Sequence, residues 1–124
     1  MAGIEKFEDI ESWKEARKLT EEIYRATKAK AFDRDIGLRE QLRRASVSVM
    51  ANIAEGFDCR SDREFVKFLG YSMRSASELQ SHLYVALDQE YLTRESFSRL
   101  YAHSTKVKNL TGGFVRYLHS GEGP

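Results

Sequence analysis

The only proline in the chain is its last residue, Pro124. Proline removes a backbone donor and clashes with the preceding turn, so a chain free of it can run in long, unbroken helices. Apolar residues recur at steps of three and four in four segments, the signature of amphipathic helices. Strand-like alternation is confined to Val47, Ser48 and Val49, inside one of those segments.

The first segment, residues about 8–30, carries Ile10, Trp13, Ala16, Leu19, Ile23 and Thr27 in one stripe. Its pattern fades over AFDRDIG, where Gly37 reads as a connection. The second, residues about 38–55, aligns Leu38, Leu42, Ala45, Val49 and Ile53 and adds Val47, Met50 and Ala54 on another side. No charge falls between Ala45 and Ala54, and a helix apolar nearly all round is normally buried. The third, residues about 62–89, sets Phe65, Leu69, Met73, Ala76, Leu79, Leu83 and Leu87 on one line. Ser61 and Glu64 stand at capping-box spacing before it, and Gly70, Ser72, Ser75, Ala76 and Ser77 leave room for a neighbouring backbone. The fourth, residues about 94–118, follows the N-cap candidate Thr93 and repeats Phe97, Leu100, Ser104, Val107, Thr111, Phe114 and Leu118. Gly112 and Gly113 each weaken it by about 1 kcal/mol relative to alanine, which points to tight packing or a bend. The closing SGEGP reads as a frayed end.

These segments predict an all-α fold, an antiparallel up-and-down four-helix bundle formed by one domain, residues 1–124. A 20-residue helix is about 30 Å long, so the bundle is a slim rod with much surface for its core. The extra apolar side of the second segment therefore predicts partner subunits and a homo-oligomer. No apolar run approaches the roughly 20 residues of a membrane span, and MAGIEKFEDIESW alternates acids with apolar residues, unlike a signal peptide. The single cysteine, Cys59, excludes an internal disulfide and fits a reducing compartment. A cytoplasmic location is the expectation.

Enzyme motifs do not occur: there is no GxGxxG, Walker loop, HExxH or CxxC. Glu78 and His82 are four apart, but one such pair is far short of the two Glu-x-x-His pairs of a bundle di-metal site. Cys59 precedes a helix N-terminus beside Arg60, which would lower a thiol pKa. No histidine stands near it as a base, so it reads as incidental. The expectation is a non-enzyme without cofactor, metal or small-molecule substrate.

Two surfaces remain as candidates. Gln41, Ser48, Asn52 and Glu55 share one line of the second helix, a polar set that fits helix register or a subunit seam. With them go Gly56, read as the C-terminal glycine stop, and the Ser61–Glu64 box. Lys14, Arg17, Lys18, Arg25 and Lys28 project within a narrow arc of the first helix, the arrangement for sequence-tolerant phosphate contacts. Glu21 falls in the same arc and stands four residues before Arg25, an ion-pair order. The fourth helix adds Arg94, Arg99, Lys106, Lys108 and Arg116 against Glu95, spread around its outer face. Twenty basic and nineteen acidic residues give a net charge of +1, so any nucleic-acid contact would rest on a local patch and not on the whole-molecule field.

The pieces FEDIESWKEARKLTEEIY, LRRASVSVMANIAEGF, RSDREFVKFLGYSMRSASELQSHL and ALDQEYLTRESF occur in that order. With NIAEG followed by RSDREF as the most specific part, the chain resembles the bacterial four-helix-bundle proteins encoded in intervening sequences of 23S ribosomal RNA genes, the S23 ribosomal protein family. That family is similar in fold to the accessory protein of diversity-generating retroelements, which partners a reverse transcriptase and binds nucleic acid. Both groups form barrel-like homopentamers, so the resemblance implies a pentameric ring here. Met50 stands where many relatives carry proline, and Asp58 and Cys59 replace a glycine and a basic residue. The expected function is association with ribosomal RNA or a ribonucleoprotein through basic helix faces. The competing expectation is a scaffold ring for a protein partner such as a polymerase.

Overall fold

A computed structural model describes residues 3–120. A short 3-10 turn, Phe7–Asp9, leads into α1 (Glu11–Ala26), followed by α2 (Lys30–Arg34), α3 (Ile36–Phe57), α4 (Asp62–Asp88) and α5 (Arg94–His119). Among the described residues there is no strand, and the Val47–Val49 alternation lies inside α3. Of the closing SGEGP, Ser120 caps α5 and residues 121–124 lie outside the described residues.

The four long helices stand in a ring, α1 against α3, α3 against α4, α4 against α5 and α5 against α1. Side-chain bonds fix the directions. Thr20 donates to the Ser46 carbonyl and Arg43 donates to Thr27, so α3 runs against α1. Ser72 donates to the Val49 carbonyl at 2.7 Å, and the hydroxyls of Ser48 and Ser75 meet at 2.9 Å. Ser104 reaches the Ala76 carbonyl, and Gln80 donates to the Tyr101 carbonyl, so α5 runs against α4. Neighbours are thus antiparallel throughout. Small hydroxyl residues let α3 and α5 approach α4 on its two flanks, while Gly70 has no neighbour near its Cβ position.

Leu19, Ile23, Leu42, Val49, Ile53, Leu69, Leu79, Leu83, Leu100 and Val107 fill the shared core. Each lies on a stripe expected from the periodicity. Burying one such side chain contributes about 1.5–3 kcal/mol.

The connections differ from the expected boundaries. α1 begins at Glu11, because the Asp9 carboxylate accepts from the Glu5 and Lys6 amides and holds the preceding residues in a separate turn. It ends at Ala26, with buried Thr27 bonding back to the Ile23 carbonyl at 2.8 Å. Where the pattern faded, α2 forms around Phe32, which is buried and stacks on Tyr91 at 5.2 Å. Asp35 caps α3 by accepting from Leu38 N, which puts Gly37 in the first helical turn and not in a connection. α5 runs through Gly112 and Gly113 without a break. Beside a Cβ at either, nothing stands closer than the Arg116 guanidinium at 3.7 Å, so the pair does not mark a tight contact.

Candidate functional site

The α1 arc is exposed, as its spacing predicts, but its charge is largely matched. Lys14 pairs with Glu11 at 3.4 Å, Lys18 with Glu15 at 3.2 Å and Arg25 with Glu21 at 3.2 Å. The Arg17 guanidinium lies 5.9 Å from the Trp13 ring centre. Lys28, just past the helix end, is exposed. The groove along this face is lined by Glu8, Glu11, Glu21 and Glu22 as well as Lys14, Arg17, Lys18 and Arg25, an equal number of each sign. Pairs three or four apart on a helix lie within side-chain reach, and a phosphate would have to displace carboxylates already in place.

The polar line of α3 is brought together in part. Asn52 Nδ2 donates to the Ser48 carbonyl at 2.9 Å and to Ser48 Oγ at 3.1 Å. Ser48 in turn meets Ser75 on α4. Gln41 and Glu55 are exposed and take no part. The set joins α3 to α4 through one hydroxyl pair.

At the α3–α4 corner, Gly56 is not a helix stop. It is buried in the last turn of α3 with an ordinary helical backbone, and the helix continues to Phe57. A Cβ there would fall 2.7 Å from Phe65 Cδ1 and 2.9 Å from Phe68 Cβ. The residue is glycine because α4 passes against it. Ser61 Oγ accepts from Glu64 N at 3.2 Å, which forms the hydroxyl half of the capping box. The Glu64 carboxylate instead lies beside Cys59. Burial, then the charge and hydrogen bond of Glu64 with help from Asp58 and Glu55, push the Cys59 thiol above its ordinary range. The helix-end and arginine effects expected to lower it are outweighed by burial and by these three acids, and Arg60 is exposed.

A polar centre that the sequence did not disclose lies between α1 and α5. His103 points Nε2 at Glu15 Oε1, 3.0 Å away, and Nδ1 at Glu22 Oε1. Lys18 and Lys106 complete the surroundings of Glu15, which is nearly buried. Burial acts to raise the Glu15 carboxyl, but the hydrogen bonds from Lys18 and His103 and the charge of Lys106 prevail and hold it below the usual range. The two ring nitrogens face opposite ways toward separate carboxylates, so the donors do not converge on one point. Among the described residues no group of three His, Cys, Asp or Glu side chains could hold a metal ion. His82 meets Glu78 at 3.3 Å, the four-residue pair the sequence shows, on the outer side of α4.

The fold and these surfaces define a class: an all-α bundle of four long antiparallel helices. The sequence matches the family described as 23S rRNA-intervening sequence protein over residues 8–113, and the chain belongs to that family. The fold is similar to the 1.70 Å crystal structure of a protein with unknown function from the S23 ribosomal protein family of Bacteroides thetaiotaomicron. The two superpose with a TM-score of 0.76 and 21% identity, covering 84% of this chain and 97% of that one. No curated protein matches the sequence. Among the described residues no helix is long and apolar enough to cross a membrane.

Proposed function

We propose that this protein is a non-catalytic, self-assembling bundle that associates with ribosomal RNA or a ribonucleoprotein, in a ring whose expected number of copies is five. The observation that carries self-assembly is the outer side of α3. Val47 is 41% exposed there, with Ala51 and Ala54 half-buried beside it, in a stretch without a single charge. Outward helix faces are normally charged, and an uncharged strip on one is the mark of a subunit contact. The RNA part of the reading is supported by the family, whose description ties it to 23S ribosomal RNA intervening sequences.

Sedimentation of Val47→Asp tests the assembly. A charge on the strip should convert the oligomer to smaller species with unchanged helix content. An oligomer of unaltered mass would remove α3 from the interface. A second reading, a ring that binds a protein partner without touching RNA, is favoured by one observation: three of the five cations of the α1 arc, Lys14, Lys18 and Arg25, are held by carboxylates of their own helix.

A further inference from the structure

An RNA-binding bundle needs a surface with free cations, and the paired charges of α1 make that helix a poor one. The trough between α4 and α5 is different. Arg94, Ser98, Tyr101, Thr105, Lys108, Gly112 and Arg116 recur at steps of three and four along α5, a single line about 33 Å long. Tyr84 on α4 stands 50% exposed beside it, its ring 5.8 Å from Tyr101 and 4.9 Å from Phe97. Ser77 and Ser81, both small and exposed, precede Tyr84 on α4.

Gln80 sets the positions. It is nearly buried, donates to Thr105 Oγ1 at 2.9 Å and to the Tyr101 carbonyl at 3.3 Å, and accepts from Lys108 Nζ at 3.4 Å. Further along, the Arg116 guanidinium lies over the glycine pair, where a Cβ on Gly112 or Gly113 would meet it at 3.7 Å. Among the described residues Arg94, Lys108 and Arg116 have no carboxylate at ion-pairing distance, in contrast to Lys14, Lys18 and Arg25 of α1. One acid, Asp88, follows Tyr84 by four residues at the Arg94 end.

We propose that the α4–α5 trough takes a single RNA strand, a base stacking on Tyr84 while Lys108 and Arg116 hold its phosphates. Aromatic faces with flanking unpaired cations bind single strands with little regard to sequence, because every base has a face to stack and every nucleotide a phosphate. A duplex hides its base faces and meets such a trough through phosphates alone.

This inference rests on the RNA reading, and one titration series separates the two. The full chain is titrated against fluorescein-labelled oligouridine RNA, with blunt duplex RNA as competitor, and its mass is followed by sedimentation. Tyr84→Ala should weaken binding about tenfold or more, and Tyr84→Phe should leave it within about twofold, since stacking survives loss of the hydroxyl. Lys108→Gln combined with Arg116→Gln should lower the slope of log affinity against log salt by about 1.4. If the wild-type chain binds no RNA, the RNA reading fails and takes the trough with it. If the wild type binds while these variants bind equally well, the trough alone is wrong. Duplex RNA competing as well as the single strand would overturn the single-strand assignment. A changed oligomer mass in the variants would make the trough a subunit interface and overturn the proposal.

Discussion

His103 Nε2 on α5 is hydrogen-bonded to Oε1 of Glu15 on α1 across 3.0 Å, between residues 88 positions apart in the chain. Its other ring nitrogen meets Glu22, so one imidazole on α5 bridges two carboxylates of α1. The arrangement closes the ring of helices at its last junction.

The first prediction concerns acid stability. The Glu15 carboxyl is held below its ordinary value of 4.5 in the folded chain. Between that value and its folded pKa the unfolded chain binds more protons, so stability rises with pH there. Its contribution is complete above about pH 4.5 and is lost as pH falls through the folded pKa. Glu15→Gln should therefore be less stable than the wild type at neutral pH, with the gap closing below pH 4.5 in urea titrations. A gap constant down to strong acid would show that Glu15 acts through packing alone.

Two glycines inside helices should respond to alanine in opposite directions. Alanine favours a helix by about 1 kcal/mol over glycine. At Gly70 nothing lies within 4 Å of the new Cβ, so Gly70→Ala should stabilise by up to about that amount. At Gly56 the Cβ would run into Phe65 and Phe68, and overpacking of this kind costs about 1–3 kcal/mol. Gly56→Ala should lower the urea midpoint. A raised midpoint would mean the α3–α4 corner gives way freely.

Ser48 and Ser75 should be coupled, and Asn52 should act through Ser48. A double-mutant cycle of Ser48→Ala and Ser75→Ala should return about 0.5–1.5 kcal/mol of interaction. Asn52→Ala should lower stability by about 1 kcal/mol or less, because its bonds stay within α3 and it is half-exposed. A coupling near zero would reduce the serine pair to packing.

Cys59 should alkylate slowly. A raised pKa leaves less thiolate at neutral pH, and the thiolate is the nucleophile. Iodoacetamide should react more slowly than with a free cysteine peptide, its rate still climbing past pH 9.0, the ordinary thiol value here. Glu64→Gln should speed it. Equal rates for chain and peptide would contradict the local acidic environment.

The stripes of the four long helices, the Ser61 and Thr93 caps and the antiparallel order were legible because they depend on neighbours three or four residues away. The helix α2 was not, since one aromatic, Phe32, anchors it amid charges and its partner Tyr91 comes from the far side of the fold. Gly56 sits where a helix stop belongs, and its real constraint, the rings of Phe65 and Phe68, is visible only once α4 is folded back. Helical spacing places the Cα atoms of the α1 arc but not its side-chain ends, and Lys14 and Lys18 reach sideways to Glu11 and Glu15. For the His103 centre the sequence carried one faint sign, Glu15 and Glu22 spaced by seven at the edge of the α1 stripe.

Native mass spectrometry of the wild-type chain, with and without a structured 23S ribosomal RNA fragment, tests the central claim most directly. The chain should form a homo-oligomer of one size, expected to be five copies, that gains the mass of the RNA and loses it as salt rises. A monomer that stays at 14.3 kDa with RNA present would contradict it.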